Sequence, residues 1–201
     1  MPNSKELDEL ALKIQETAQT LFDEHGVEEV SMHRIAQETG IGQGTLYRRY
    51  PSKSKLCLSL MENKFNRLTG EIEAYLLEAK ELPIVERLSE IMKRLLNNLD
   101  KDLQSMKTLL NSPRLEEATA NLCEIPPFIF IRGKVHDLLQ EAQQCGELRP
   151  LDLDFTSSFI ATSLKPELVF YLHDMGYTTE QIAEKYCECA IKPLFTAQPR
   201  S

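Results

Sequence analysis

Apolar residues recur at every third or fourth position along most of the chain, and polar residues fill the positions between them. This spacing places the apolar side chains on one face of an α-helix. The first clear example comprises Leu7, Leu10, Ala11, Ile14, Ala18, Leu21 and Phe22, and Gly26 follows it. Glycine and proline lie where one such pattern ends and the next begins, as helix termini require. The pattern therefore predicts an all-α protein.

Two short helices separated by a tight turn are predicted in residues 31–53, which read SMHRIAQETGIGQGTLYRRYPSK. Ser31 is a suitable N-cap for a helix over residues 32–38, and Gly40 supplies the left-handed residue that a sharp reversal requires. The second helix is expected over residues 43–49. Two helices joined in this way form a helix-turn-helix, whose second helix lies in the major groove of DNA.

The charge distribution supports the same interpretation. The chain has a formal net charge of −8, but residues 34–55 contain five basic side chains and a single acidic one, a local charge of +4. Lysine and arginine near phosphates release condensed counterions and dominate affinity for DNA. The acidic remainder is expected to repel a duplex, so nucleic acid should bind through this one surface.

Residues at fixed spacings carry a resemblance to a known family, namely Ala18, Phe22, Gly26, Ile35, Ala36, Gly40, Gly44, Thr45, Leu46, Tyr47, Tyr50 and Lys53. They resemble the DNA-binding domain of TetR/AcrR-family transcriptional regulators. The chain departs from the family at Tyr50-Pro51-Ser52-Lys53, where phenylalanine and a small polar residue usually precede the lysine. The resemblance implies a helix-turn-helix domain over residues 1–52 and an effector-binding and dimerisation domain over residues 53–201, linked by a long helix that starts near residue 53.

The expected DNA-contacting residues are Ser31, His33, Gln43, Gly44, Thr45, Tyr47, Arg48, Arg49 and Lys53. Gln43 and Thr45 are the candidates for base readout, because an amide pairs with adenine and a threonine methyl group touches thymine. The alternative is a purely structural role, in which Tyr47 packs in the core while Arg48 and Arg49 form only a solvated face.

Phosphate contacts are assigned to a second group of side chains. Tyr47, Arg48 and Lys53 are better placed for the backbone of the duplex, and Lys53 also lies at a helix start whose amides favour an anion. Ser31 and His33 are expected to act in the same way from the first helix.

The remaining helices are predicted over residues 53–82, 84–100, 103–111, 114–123, 126–145, 152–175 and 179–195. Pro166 is expected to bend the helix over residues 152–175 or to shift its start. The first of these helices runs from the DNA-binding region into the rest of the chain. It is therefore expected to act as a lever between the two domains.

The family resemblance also implies a small-molecule pocket and a homodimer. The expected pocket residues are Met92, Met106, Leu109, Phe128, Ile131, Val135, His136 and Phe159, although each could equally be ordinary core or, for His136, surface. The expected dimer residues are Phe155, Phe159, Leu168, Leu172, Ile182, Tyr186 and Ala190. A two-fold dimer would prefer an inverted-repeat operator in double-stranded DNA. The implied function is repression that a small hydrophobic effector relieves.

Other classes of function are disfavoured. No nucleotide-binding loop, catalytic triad, metal-ligand spacing or cofactor motif is discernible, so neither an enzyme nor a metalloprotein is expected. The absence of a signal peptide or an apolar span predicts a cytoplasmic protein with no membrane contact, and five irregularly spaced cysteines favour free thiols. Two alternatives stay open: a helical adaptor with a non-functional helix-turn-helix, and a redox-sensing regulator that uses Cys57 or Cys145.

Overall fold

The computed structural model describes residues 4–101, 125–163 and 165–196. These residues form nine α-helices: α1 (Ser4–His25), α2 (Met32–Thr39), α3 (Gln43–Arg49), α4 (Lys53–Glu78), α5 (Ile84–Lys101), α6 (Pro126–Gln144), α7 (Leu153–Ser163), α8 (Pro166–Asp174) and α9 (Thr179–Tyr186). A π-helical turn (Cys187–Ile191) and a 3-10 turn (Lys192–Leu194) follow α9. The expected all-α fold is confirmed. The helices predicted over residues 103–111 and 114–123 lie outside the described residues.

The two helices expected at the C-terminal end of the chain are both interrupted in the structure, in each case near a proline. The helix expected over residues 152–175 is divided into α7 and α8, because the residue before Pro166 is extended (Lys165, φ −94°, ψ 141°). The helix expected over residues 179–195 stops at Tyr186, and the backbone amide of Lys192 then bonds to the carbonyl of Cys187 across a widened turn. Pro193 has no N–H to continue an α-helical ladder, which accounts for the change.

The described residues up to Lys64 belong to the first of two compact units. Its core contains Ile14 of α1, Ile35 of α2, Leu46 of α3 and Leu56 of α4, each with 0% of its surface exposed. Burying a side chain of this size contributes about 1.5–3 kcal/mol. The two short helices are therefore held in place by their packing on α1 and α4.

A buried polar network also joins the elements of this unit. The Gln15 amide nitrogen donates to the Tyr50 hydroxyl at 3.0 Å and to the Ser59 hydroxyl at 2.7 Å, and the Gln15 amide oxygen accepts from the Asn63 amide at 2.8 Å. Buried polar groups cost free energy unless they are paired, so this arrangement favours one register between α1, the end of α3 and α4.

The second unit contains the described residues from Phe65 onward. Its core includes Ile72 of α4, Leu88 of α5, Leu139 of α6 and Ile191 of the π-helical turn, all with 0% exposure. The division between the units lies within α4, so this helix contributes residues to both. The functional boundary at residues 52 and 53 stays a prediction.

Candidate nucleic-acid interface

The turn between α2 and α3 is closed by backbone hydrogen bonds. Gly40 has a φ of +76°, its amide donates to Gln37 at 3.0 Å, and the Ile41 amide donates to Ala36 at 3.0 Å. This pair of bonds is the Schellman arrangement that ends a helix with a left-handed residue. At the other end of α2, the Ser31 hydroxyl accepts from the Arg34 amide at 3.2 Å, as the sequence predicted for an N-cap.

The outward face of α3 is polar and basic. Leu46 is completely buried, whereas Gln43, Gly44 and Arg48 are exposed and Tyr47 keeps 46% of its surface exposed. The exposure of Tyr47 does not fit the alternative in which its ring packs in the core. The same helix therefore anchors itself through Leu46 and presents hydrogen-bonding side chains on its opposite face.

Several of these side chains have protein partners. The Gln43 amide nitrogen is hydrogen-bonded to His33 Nδ1, which joins α3 to α2. Arg48 donates to the Thr45 hydroxyl at 3.2 Å within α3. Thr45 is partly buried and Ser31 is exposed. The candidates for base readout are thus held by neighbouring residues of the helix-turn-helix itself.

Lys53 has protein contacts that its expected role at a phosphate did not include. Its ammonium nitrogen donates to the carbonyl oxygens of Val27 at 2.7 Å, Val30 at 3.1 Å and Glu28 at 3.2 Å. An ammonium group has three N–H donors, so all of them are engaged in the loop between α1 and α2. We therefore propose that Lys53 clamps this loop and does not contact a phosphate.

The expected effector pocket is not assembled as the sequence predicted. Met92 and Val135 have 0% exposure, and Phe128 and Ile131 have 7% and 8%, so these four side chains are packed core. Phe159 is 60% exposed. Met106 and Leu109 lie outside the described residues.

His136 also differs from the expectation. Its two ring nitrogens lie 3.9 Å from carboxylate oxygens of Asp137 and Asp154, whose side chains are 73% and 76% exposed. The imidazole therefore faces solvated carboxylates at the surface rather than an apolar cavity.

A different cavity of about 250 Å³ is present in the second unit. It is lined by Leu96, Ser163, Leu168, Val169, Leu172, Tyr177, Ile182, Lys185, Tyr186 and Cys189. Four of these residues, Leu168, Leu172, Ile182 and Tyr186, are ones expected in the dimer interface. The cavity depends on side chains from four separate helices, α5, α7, α8 and α9, and from the π-helical turn, so no local sequence signal could have identified it.

The expected dimer residues fall into two groups. Phe155, Phe159 and Leu168 are 71%, 60% and 43% exposed. Leu172, Tyr186 and Ala190 are only partly exposed, and Ile182 is 5% exposed. Since Ile182 packs within its own unit, α9 does not present the broad apolar surface that was predicted.

Two further exposed apolar residues were missed, namely Tyr171 (62%) of α8 and Met175 (57%), which directly follows α8. We call Phe155, Phe159, Leu168, Tyr171 and Met175 the α7–α8 face. The rings of Phe155 and Phe159 are stacked, with centroids 6.4 Å apart. Phe159 and Leu168 line one open groove, which places side chains of both helices on the same surface.

The cysteines do not favour the redox alternative. Burial raises the pKa of the Cys57 thiol to about 11, although the nearby Lys53 ammonium acts in the opposite direction. Cys57 therefore remains a thiol at neutral pH, and thiols react far more slowly than thiolates. Cys145 is an exposed free cysteine, and a lone exposed thiol is not by itself evidence of sensing.

Within the described ranges, no group of three or more His, Cys, Asp or Glu side chains is arranged to hold a metal ion. Among the same residues, no helix is both long enough and apolar enough to span a membrane.

Comparison with known proteins identifies the N-terminal region. Residues 14–60 match the family model for bacterial regulatory proteins of the tetR family. These residues are similar to the DNA-binding domain of that family. Over 54 residues the chain is 54% identical to an HTH-type transcriptional regulator from Staphylococcus aureus (strain bovine RF122 / ET3-1), a match that covers 27% of this chain and 29% of that protein. The chain thus spans less than a third of the length of such relatives.

Solved structures share the fold of this chain over most of its length. A transcriptional regulator from Cytophaga hutchinsonii ATCC 33406 has a TM-score of 0.70 at 18% identity and covers 91% of this chain and 97% of its own. Thermus thermophilus FadR, a TetR-family repressor in complex with lauroyl-CoA, has a TM-score of 0.66 at 20% identity and covers 95% and 98%. The relatives are named as regulators of transcription, which does not favour an enzyme or an adaptor.

Proposed function

We propose that this chain is a sequence-specific DNA-binding regulator of the TetR family that acts in the cytoplasm and places α3 in the major groove. The observation that carries the proposal is the division of α3 into a buried Leu46 side and an exposed side with Gln43, Tyr47 and Arg48. Exposed amide and guanidinium groups on a helix are the donors and acceptors that base edges and phosphates require.

The residues of the helix-turn-helix are proposed to contact either base edges or phosphates. Gln43 and Thr45 read base edges, while Tyr47 and Arg48 contact phosphates and set the register of the helix on the duplex. Ser31 lies at the start of α2, where its exposed hydroxyl and the backbone amides are suited to a phosphate. Gly44 has no side chain, so the backbone of α3 can approach the duplex closely at this point. Arg49 stays a prediction as an additional phosphate contact.

Substitution of Arg48 and of Gln43 should have different consequences. Arg48→Ala is expected to weaken binding to all duplexes alike and to reduce the slope of log K against log salt by about 1, because one phosphate contact is lost. Gln43→Ala is expected to remove about 1–3 kcal/mol of discrimination at one base pair. Selection from a random-sequence duplex library, followed by anisotropy titrations at several salt concentrations, measures both effects.

Arg67→Ala is the matched control, because the Arg67 side chain is 75% exposed on α4 outside the helix-turn-helix. It should leave the salt slope unchanged. The assignment of Arg48 is wrong if its variant behaves like this control, and the proposed function is wrong if the unmodified chain selects no sequence from the library.

We further propose that the α7–α8 face forms a homodimer interface. One helix-turn-helix reads few base pairs, whereas a two-fold dimer presents two reading helices about 34–36 Å apart, or a multiple of that spacing, and so prefers an inverted repeat. The five large apolar side chains of this face are exposed in the single chain, and contiguous apolar patches of this kind mark association sites.

An effector is proposed for the cavity lined by Leu172 and its neighbours. Its volume of about 250 Å³ lies below the range of about 300–1,000 Å³ that suits drug-sized ligands, so a small molecule is indicated. The lining is mainly apolar, and Lys185 supplies a cationic group, which fits a short apolar chain with one carboxylate. Occupancy would change operator affinity through α4, the helix that contributes residues to both units, and would relieve repression.

Octanoate has this chemistry and serves as the probe. It is expected to raise the midpoint of thermal unfolding and to weaken operator binding about tenfold, within the usual range of allosteric coupling. Leu172→Trp, which fills the cavity, should abolish both effects, whereas Leu77→Trp on the exposed side of α4 should preserve them. An equal response of both variants to octanoate would rule out this cavity as the effector site.

A further inference from the structure

The hydrogen bond between His33 and Gln43 connects two helices at the surface expected to face DNA. Gln43 is the first residue of α3 and His33 is the second residue of α2, and the Gln43 amide nitrogen lies against His33 Nδ1. Arg48 and Thr45, by contrast, are paired within α3. Gln43 is therefore the base-readout candidate whose orientation depends on a side chain from another helix.

The chemistry of this pair determines what Gln43 can offer to a base. An amide nitrogen only donates, so His33 Nδ1 is the acceptor where the Gln43 amide nitrogen lies against it. The amide has two N–H donors and one carbonyl oxygen. After one donor is used, one N–H and the oxygen remain for the duplex.

This remaining set matches adenine. In the major groove adenine presents the N7 acceptor beside the N6 amino donor, whereas guanine presents two acceptors, N7 and O6. An amide rotated by half a turn would direct its oxygen at residue 33 and both N–H groups at the duplex, which matches guanine. The observed orientation, with the Gln43 amide nitrogen against His33 Nδ1, is the one that leaves the adenine-matching set for the duplex.

We propose that His33 is a positioning residue for specificity, which fixes the Gln43 amide so that Gln43 selects adenine over guanine. The inference rests on the proposed function, because it concerns the same reading surface. It replaces the earlier assignment of His33 to a phosphate, since the imidazole acts on the base through Gln43.

His33→Lys gives the sharpest test, because an ammonium group only donates. The Gln43-dependent base pair is first identified as the one at which Gln43→Ala loses its preference in library selection. Affinities are then measured for paired duplexes with adenine or guanine at that position. The His33→Lys variant is expected to shift the ratio of the two affinities toward guanine by about fivefold or more, and His33→Ala should reduce the preference for adenine.

Gln37→Lys is the matched control, because it adds the same charge to an exposed position on α2. It should strengthen binding to both duplexes equally and leave their ratio unchanged. In the Gln43→Ala background, His33→Lys should no longer alter the ratio, because the side chain through which it acts is absent.

Three results would overturn the inference. The first is a His33→Lys variant that behaves like Gln37→Lys, as a phosphate contact would. The second is an unmodified chain that prefers guanine at the Gln43-dependent position, and the third is an altered ratio that persists without Gln43. If the unmodified chain binds no duplex selectively, the proposed function itself fails, which is distinguishable from these three results. Circular dichroism of each variant confirms that the helices are intact.

Discussion

Replacement of Lys53 by methionine is expected to lower the free energy of unfolding by at least about 3 kcal/mol and to leave the salt dependence of DNA binding unchanged. Methionine keeps an apolar stem of similar shape but removes the three hydrogen bonds from the ammonium group to the loop between α1 and α2. Hydrogen bonds to a charged group contribute about 1.5–3 kcal/mol each to stability. At the exposed Glu28 carbonyl, a water molecule can take the place of the ammonium group, so less of this stabilisation is lost there.

Urea unfolding followed by circular dichroism measures the first effect, and titrations at several salt concentrations measure the second. Lys55→Met is the control, because Lys55 lies two residues away on α4 and its side chain is exposed. It should change stability by less than about 0.5 kcal/mol. The clamp is refuted if Lys53→Met has the stability of the control and a salt slope reduced by about 1, since that combination describes a phosphate contact.

Replacement of both Phe155 and Phe159 by glutamate is expected to raise the dissociation constant of the homodimer at least 100-fold. Burial of each phenylalanine contributes about 1.5–3 kcal/mol to association. After substitution, the two-fold axis would place the glutamates of one copy opposite those of the other, and their negative charges would repel. Affinity for an inverted-repeat operator should fall along with dimerisation, because a single reading helix covers half of the site.

Sedimentation equilibrium measures the association, and the selected inverted repeat serves as the DNA probe. Leu77→Glu is the control, because Leu77 is another large apolar residue, 67% exposed, on α4 rather than on α7 or α8. It should leave the dimer intact. A doubly substituted chain that still sediments as a dimer would show that copies associate through a different surface.

The helix-turn-helix was predictable from sequence because its signals are local. Ser31 and Gly40 lie at the two ends of α2, within four residues of the backbone groups that they satisfy or reverse. The observed span of α3 equals the predicted one, and α2 extends a single residue further. Capping and turn chemistry act over one helical turn, so neighbouring residues suffice to reveal them.

The contacts of individual side chains were less predictable. Lys53 was assigned to DNA because of its charge and its place at a helix start, but its partners lie 23 to 26 residues earlier in the chain. The pairing of Gln43 with His33 spans ten residues and two helices. Charge alone does not indicate whether a cation faces solvent or a row of carbonyl groups.

The spacing of apolar residues, proline, glycine and capping residues thus determined which segments are helical and where the helix-turn-helix lies, because these effects depend on near neighbours. Only the tertiary structure decided that Lys53 donates to the loop between α1 and α2, and that Ile182 is core while Tyr171 and Met175 are exposed. It also decided that the cavity lies among α5, α7, α8 and α9. Apolar spacing shows that a helix has a buried face, but the partner of that face comes from distant residues, and only the packing of the folded chain selects it.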